Sequence, residues 1–152
     1  MLRDDINNSL KDAMKSGDTR RVSTLRLVNS SLKNADIEAR GQGKQALSDD
    51  DVLGLLQKMI KQRQDSVAAY EQGGRKELAD QERTEIEIIK GFLPQQLSEA
   101  EAKDAIAAAI NDTGAAGMKD MGRVMAALKE RYAGKLDFGR ASAAVKKMLS
   151  GG

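Results

Sequence analysis

Gly91-Phe92-Leu93-Pro94-Gln95-Gln96-Leu97-Ser98-Glu99-Ala100-Glu101 holds the single proline of a 152-residue chain, and it decides how the rest is read. The residue before a proline avoids helical dihedrals, so a helix arriving at Gly91 has to stop before Pro94. Shortly after, Ser98 and Glu101 stand three apart. That is the spacing of a capping box, in which each side chain accepts the backbone N–H of the other residue. One helix therefore ends on the near side of this stretch and another begins on the far side. The stretch is a joint between two helical modules, residues 1–93 and 94–152.

Upstream of the joint, apolar residues recur at helical spacing in four segments. Leu2, Ile6, Leu10 and Ala13 form the first stripe, which Ser16-Gly17 ends, since glycine takes the left-handed terminal conformation without a Cβ penalty. Asp18 caps a second helix with Val22, Leu25, Val28 and Leu32 inside; it fades near Arg40 into the polar loop Gly41-Gln42-Gly43-Lys44. Ser48, with Asp51 in place of the usual Glu, starts a third helix whose inner face runs from Val52 through Met59 to Tyr70. Gly73-Gly74 stops it. The fourth carries Leu78, Ala79, Ile86 and Ile89, with Glu82, Glu85 and Glu87 expected mostly on its wet side. Downstream, Ala102, Ala105, Ile106 and Ala109 define a fifth helix and Thr113–Gly117 a loop. Met121, Val124, Met125 and Leu128 define a sixth, and Asp137 caps a seventh with Ala141, Val145, Met148 and Leu149 inside. The expected class is all-α: about four helices, then a three-helix bundle.

Composition agrees with this and excludes several chemistries. Residues of hydrophobic type make up 40% of the chain but aromatics only 3%, so the cores must be aliphatic. Cysteine and histidine are absent. That removes disulfides, thiolate nucleophiles, the commonest metal ligand and the commonest general base near neutral pH. No cofactor and no metal site are expected. Asp49-Asp50-Asp51 sits at a helix start, where capping and the helix dipole account for it. Glu82 and Glu85 lie among Lys76, Arg83 and Lys90, which can pair with them. Gly41-Gln42-Gly43-Lys44 lacks the spacing and strand context of a phosphate-binding loop. No apolar run approaches the length of a membrane span, and Met1-Leu2-Arg3-Asp4-Asp5 does not open like a secretory signal, so the expectation is a cytoplasmic protein.

Charge is unevenly divided. Residues 1–93 hold sixteen basic and sixteen acidic side chains, whereas residues 117–152 hold eight basic and three acidic ones. Polyanions attract such a segment through counterion release, and Lys119, Arg123, Lys135, Arg140, Lys146 and Lys147 are the candidate phosphate contacts. With no aromatic interleaved, base stacking is not the expected mode; backbone contact is.

Several segments, in order along the chain, resemble the YqeY-like (GatB/YqeY) family. They are Thr24-Leu25-Arg26-Leu27-Val28, Gly74-Arg75-Lys76-Glu77-Leu78-Ala79, Phe92-Leu93-Pro94-Gln95-Gln96-Leu97, Met118-Lys119-Asp120-Met121-Gly122-Arg123-Val124-Met125, and the last helix after Gly134-Lys135-Leu136-Asp137. The resemblance implies a helical N-terminal module followed by a module similar to the tail of the B subunit of glutamyl/aspartyl-tRNA amidotransferase. That tail contacts tRNA, while transamidation occurs in a separate catalytic domain. The expected function is a non-catalytic, tRNA-binding accessory protein, associated with tRNA-modifying or aminoacylation machinery. Two alternatives stand beside it: a component of the amidotransferase activity itself, a carbon–nitrogen ligase with glutamine as amide donor, and a protein-interaction module.

Overall fold

A computed structural model describes residues 1–44 and 46–151; Gln45 and Gly152, the last residue of the second expected module, lie outside the described residues. The described residues form seven α-helices and one short 3-10 turn, with no strand, which is the all-α class expected. They fall into two compact units, Met1–Leu93 and the chain from Pro94 onward.

The first unit contains α1 (Leu2–Ser16), α2 (Thr19–Gly41), α3 (Asp49–Gln72) and α4 (Lys76–Lys90). Local chemistry sets the boundaries. Gly17 takes φ 74°, and its N–H donates to the Ala13 carbonyl. One residue later the Asp18 carboxylate accepts from the Arg21 N–H and opens α2. Ser48 and Asp51 form the reciprocal capping box that opens α3, with bonds of 3.0 and 3.1 Å. Ile6, Leu25, Leu32, Leu56 and Ile89 are essentially inaccessible at the centre of the unit. Burying each aliphatic side chain of this size contributes about 1.5–3 kcal/mol. Arg3 on α1 grips Asp36 on α2 with two hydrogen bonds of 2.9 and 2.8 Å, which fixes the pairing of those helices from outside the core.

One expectation is corrected here. Glu85 does not lie on the wet side of α4: only 9% of it is exposed. Its carboxylate meets Arg63 of α3 at 3.1 Å and Arg20 of α2 at 3.7 Å, rather than the nearby Lys76, Arg83 or Lys90. The reason is periodicity: Glu85 precedes Ile89 by four residues and so shares its inward stripe. Burial, followed by the neighbouring Glu85 charge, raises the Glu82 carboxyl above its ordinary value.

The second unit contains α5 (Glu99–Thr113), a 3-10 turn (Met118–Asp120), α6 (Met121–Tyr132) and α7 (Phe138–Leu149). The Ser98–Glu101 capping box is formed, with bonds of 3.0 and 3.1 Å. Thr113 belongs to α5 rather than to the following loop, because its hydroxyl donates back to the Ala109 carbonyl at 2.8 Å. The interior mixes small and larger aliphatic residues: Ala105, Ala109 and Ala141 sit with Ile106, Val124, Leu128, Leu136 and Val145. The segment before α5 is tied to the turn before α7. The Leu97 N–H donates to the Lys135 carbonyl at 2.9 Å, and the Gln96 side-chain amide donates to the Gly134 carbonyl. Gly134 adopts φ 76°, which a residue with a Cβ takes only at a cost.

Candidate nucleic-acid interface

The interface is built on α7. Asp137 caps it, its carboxylate accepting from the N–H groups of Gly139 and Arg140 at 3.0 and 3.2 Å. Ala141 and Val145 turn inward. Steps of three and four residues then place Arg140, Ala144 and Lys147 along one flank. That flank faces the N-terminal half of α5 across a groove of about 560 Å³. Ala102, Ile106, Leu136 and Ala141 give the groove an apolar floor. Lys103, Arg140 and Lys147 stand on its rim with Glu99 and Asp137. Arg140 and Lys147 are two helical turns apart, about 10 Å along the axis.

Lys119 and Arg123 occupy a different place, on the 3-10 turn and the first turn of α6. Asp120 lies between them and is 9% exposed. Its carboxylate accepts from the Ala116 N–H at 3.0 Å and from the Arg123 guanidinium at 2.7 Å. The Ala116 amide first, and then Arg123, hold that carboxyl below the ordinary aspartate value. α6 and α7 are packed together, and Lys135 lies in the connection between them.

All six candidate cations are exposed. Arg140 and Lys147 line the groove, Lys146 adjoins Lys147 on α7, and Lys119, Arg123 and Lys135 are not among the groove's lining residues. Two of the six face an acid: Arg123 meets Asp120 at 2.7 Å and Arg140 meets Asp137 at 3.8 Å. Lys119, Lys135, Lys146 and Lys147 enter no ion pair within 4 Å among the described residues. Sequence reasoning misses Lys103, because the acids that surround it on α5 mask its charge. Its signal is present all the same, four residues after Glu99 and three before Ile106. Met148, expected in the core, is 38% exposed at the groove. Met148 follows Val145 by three residues and so lies about 60° round the helix from it, at the edge of the buried stripe.

Among the described residues no group of three or more His, Cys, Asp or Glu side chains is placed to hold a metal ion. None of their helices is long and apolar enough to cross a membrane.

These features define a class: an all-helical protein of two units, the second carrying a cation-rimmed groove. The chain belongs to the family described as Yqey-like protein, which matches residues 3–149. Curated relatives include proteins named "Altered inheritance of mitochondria protein 41, mitochondrial" in three yeasts. The one from Lachancea thermotolerans is 36% identical over 98 residues, covering 64% of this chain and 51% of the relative. That from Vanderwaltozyma polyspora is 31% identical over 88 residues, covering 58% and 46%. That from Clavispora lusitaniae is 34% identical over 113 residues, covering 73% and 64%. The chain thus spans about half the length of the first of these relatives. Their names overturn the expectation of a cytoplasmic protein. That expectation rested on the lack of a membrane span and a secretory start, and these features do not distinguish one aqueous compartment from another.

Proposed function

We propose that this YqeY-like chain is a non-catalytic accessory protein that binds the phosphate backbone of tRNA through its C-terminal unit. The observation that carries this reading is the alignment of Lys103, Arg140 and Lys147 on the rim of one groove, with Lys146, which enters no ion pair among the described residues, next to Lys147 on α7. Exposed cations of this kind contribute through counterion release, and their contribution falls steeply with salt. Lys119, Arg123 and Lys135 extend the electropositive surface, with Arg123 the weakest contributor because Asp120 already holds it. The absence of His and Cys from the chain supports an accessory role rather than transamidation by this chain alone.

Fluorescence titration of labelled tRNA at several salt concentrations tests it. With about four phosphates neutralised on duplex-like RNA, the log–log slope is expected near −3 to −4. Reversing the charge at Arg123, Lys146 and Lys147 should weaken binding and flatten that slope. No binding at low salt, or identical binding by the reversed variant, would overturn the reading.

A further inference from the structure

The first unit has equal numbers of acids and bases, but they are not evenly placed on α2. Arg26, Lys33 and Arg40 follow each other at seven-residue steps, so on a straight helix each is turned only about 20° from the last. Ser30 and Ile37 fall between them on the same line. All five are exposed, and Ile37 is 66% exposed although it is a large apolar residue. Leu25, Val28 and Leu32 fill the opposite side of α2 and are buried in the unit's core, so this line points to solvent.

One acid lies beside it: Asp36, four residues before Arg40, is held by two hydrogen bonds from Arg3, and after these the Arg40 charge also helps keep its carboxyl below the ordinary aspartate value. Glu38 is rotated about 100° from Ile37. Arg26, Lys33 and Arg40 enter no ion pair within 4 Å among the described residues. The three cations span about 21 Å along the helix, spaced about 10 Å apart. That spacing is close to the Debye length at 0.1 M salt, so they repel one another little, while a polyanion lying along the helix meets all three.

We infer that the outer face of α2, with Arg26, Lys33 and Arg40, is a second surface for the backbone of structured RNA, separate from the C-terminal groove. The choice of RNA as the polyanion rests on the function proposed above; the geometry of the stripe does not. Charge complementarity selects a polyanion. An anionic membrane is the poorer fit, because a helix lying in a bilayer interface buries a broad apolar face, and that of α2 is consumed by the core. The Ser30 hydroxyl can donate to a phosphate or ribose oxygen between the first two cations.

The test uses the full chain and a labelled RNA hairpin with a stem of about 20 base pairs, long enough to lie along the stripe. Replacing all three cations (Arg26→Gln, Lys33→Gln, Arg40→Gln) keeps helix propensity nearly constant. Circular dichroism checks that the fold is retained. The expected result is a log–log salt slope smaller by about 2 to 3 and binding at least about tenfold weaker at 0.1 M salt. A matched variant at three exposed cations of α3 and α4 (Lys58→Gln, Lys61→Gln, Lys76→Gln) should bind as the unaltered chain does. Equal loss in both variants would show generic charge and overturn the inference. So would an unchanged slope in the α2 variant while C-terminal charge reversal abolishes binding, an outcome that leaves the function proposed above standing. Failure of the unaltered chain to bind the hairpin, or binding only to phosphatidylserine vesicles, overturns both.

Discussion

Replacing Arg63 by methionine should cost the first unit about 3 kcal/mol, because it strands a buried carboxylate. The Arg63 and Glu85 side chains are only 13% and 11% exposed, and the Arg63 Nε–Glu85 contact is 3.1 Å. Arg63 also donates to the Met59 carbonyl at 3.2 Å, a bond that is lost with the side chain although the carbonyl keeps its helical backbone partner. Breaking a buried pair from one side costs about 3–5 kcal/mol. The lower end applies here because Arg20, 41% exposed, remains 3.7 Å from Glu85 and keeps part of the compensation. Methionine replaces much of the aliphatic stem, which separates lost charge from lost packing. The assay is urea unfolding followed by Tyr70 fluorescence in a Tyr132→Phe background, since Tyr70 and Tyr132 are the chain's two tyrosines and only Tyr70 belongs to the first unit. The double variant Arg63→Met, Glu85→Met should return to within about 1 kcal/mol of the parent, as apolar replacement of a whole buried pair often does. A loss below about 1 kcal/mol for Arg63→Met, or simple addition of the two single losses, would refute the reasoning. The result matters for function, since this cluster joins α2 to α3 and α4 and so holds the outer face of α2 where RNA could reach it.

Three further outcomes follow from the same geometry. Glu82→Gln should raise the urea midpoint at pH 7: the raised carboxyl binds its proton more tightly folded than unfolded, so this group's contribution declines as pH climbs past its ordinary value of 4.5, and the gain should vanish at about pH 3. Asp120→Asn should lower the midpoint of the second unit at pH 7; the lowered carboxyl stabilises above the ordinary aspartate value of 3.8, so the gap to the parent should close as pH falls below it. Ser98→Ala should cost the second unit about 1 kcal/mol through loss of the cap on α5, measured by urea unfolding followed by Tyr132 fluorescence in a Tyr70→Phe background.

What the sequence reveals and what it conceals divide along the range of the interactions. Asp18, Ser48 with Asp51, Ser98 with Glu101, and Asp137 all cap the helices expected of them, since a cap bonds an amide two or three residues away and is written in adjacent letters. The inward position of Glu85 is legible in its four-residue spacing from Ile89, but its partner is not, because Arg63 lies 22 positions earlier on another helix. Lys103 escapes notice and Met148 is read as core because the groove exists only once α5 and α7 lie side by side. The stripe on α2 is hidden by arithmetic: sixteen bases against sixteen acids sum to zero, and a sum discards the angle at which each charge leaves its helix.

The most direct test of RNA binding by the second unit is to map backbone amide shifts of the isotope-labelled full chain while tRNA is added at low salt. The account expects the earliest changes around Lys103 on α5 and from Arg140 to Lys147 on α7. Shifts that spare both helices, or no shifts at any tRNA concentration, would contradict it.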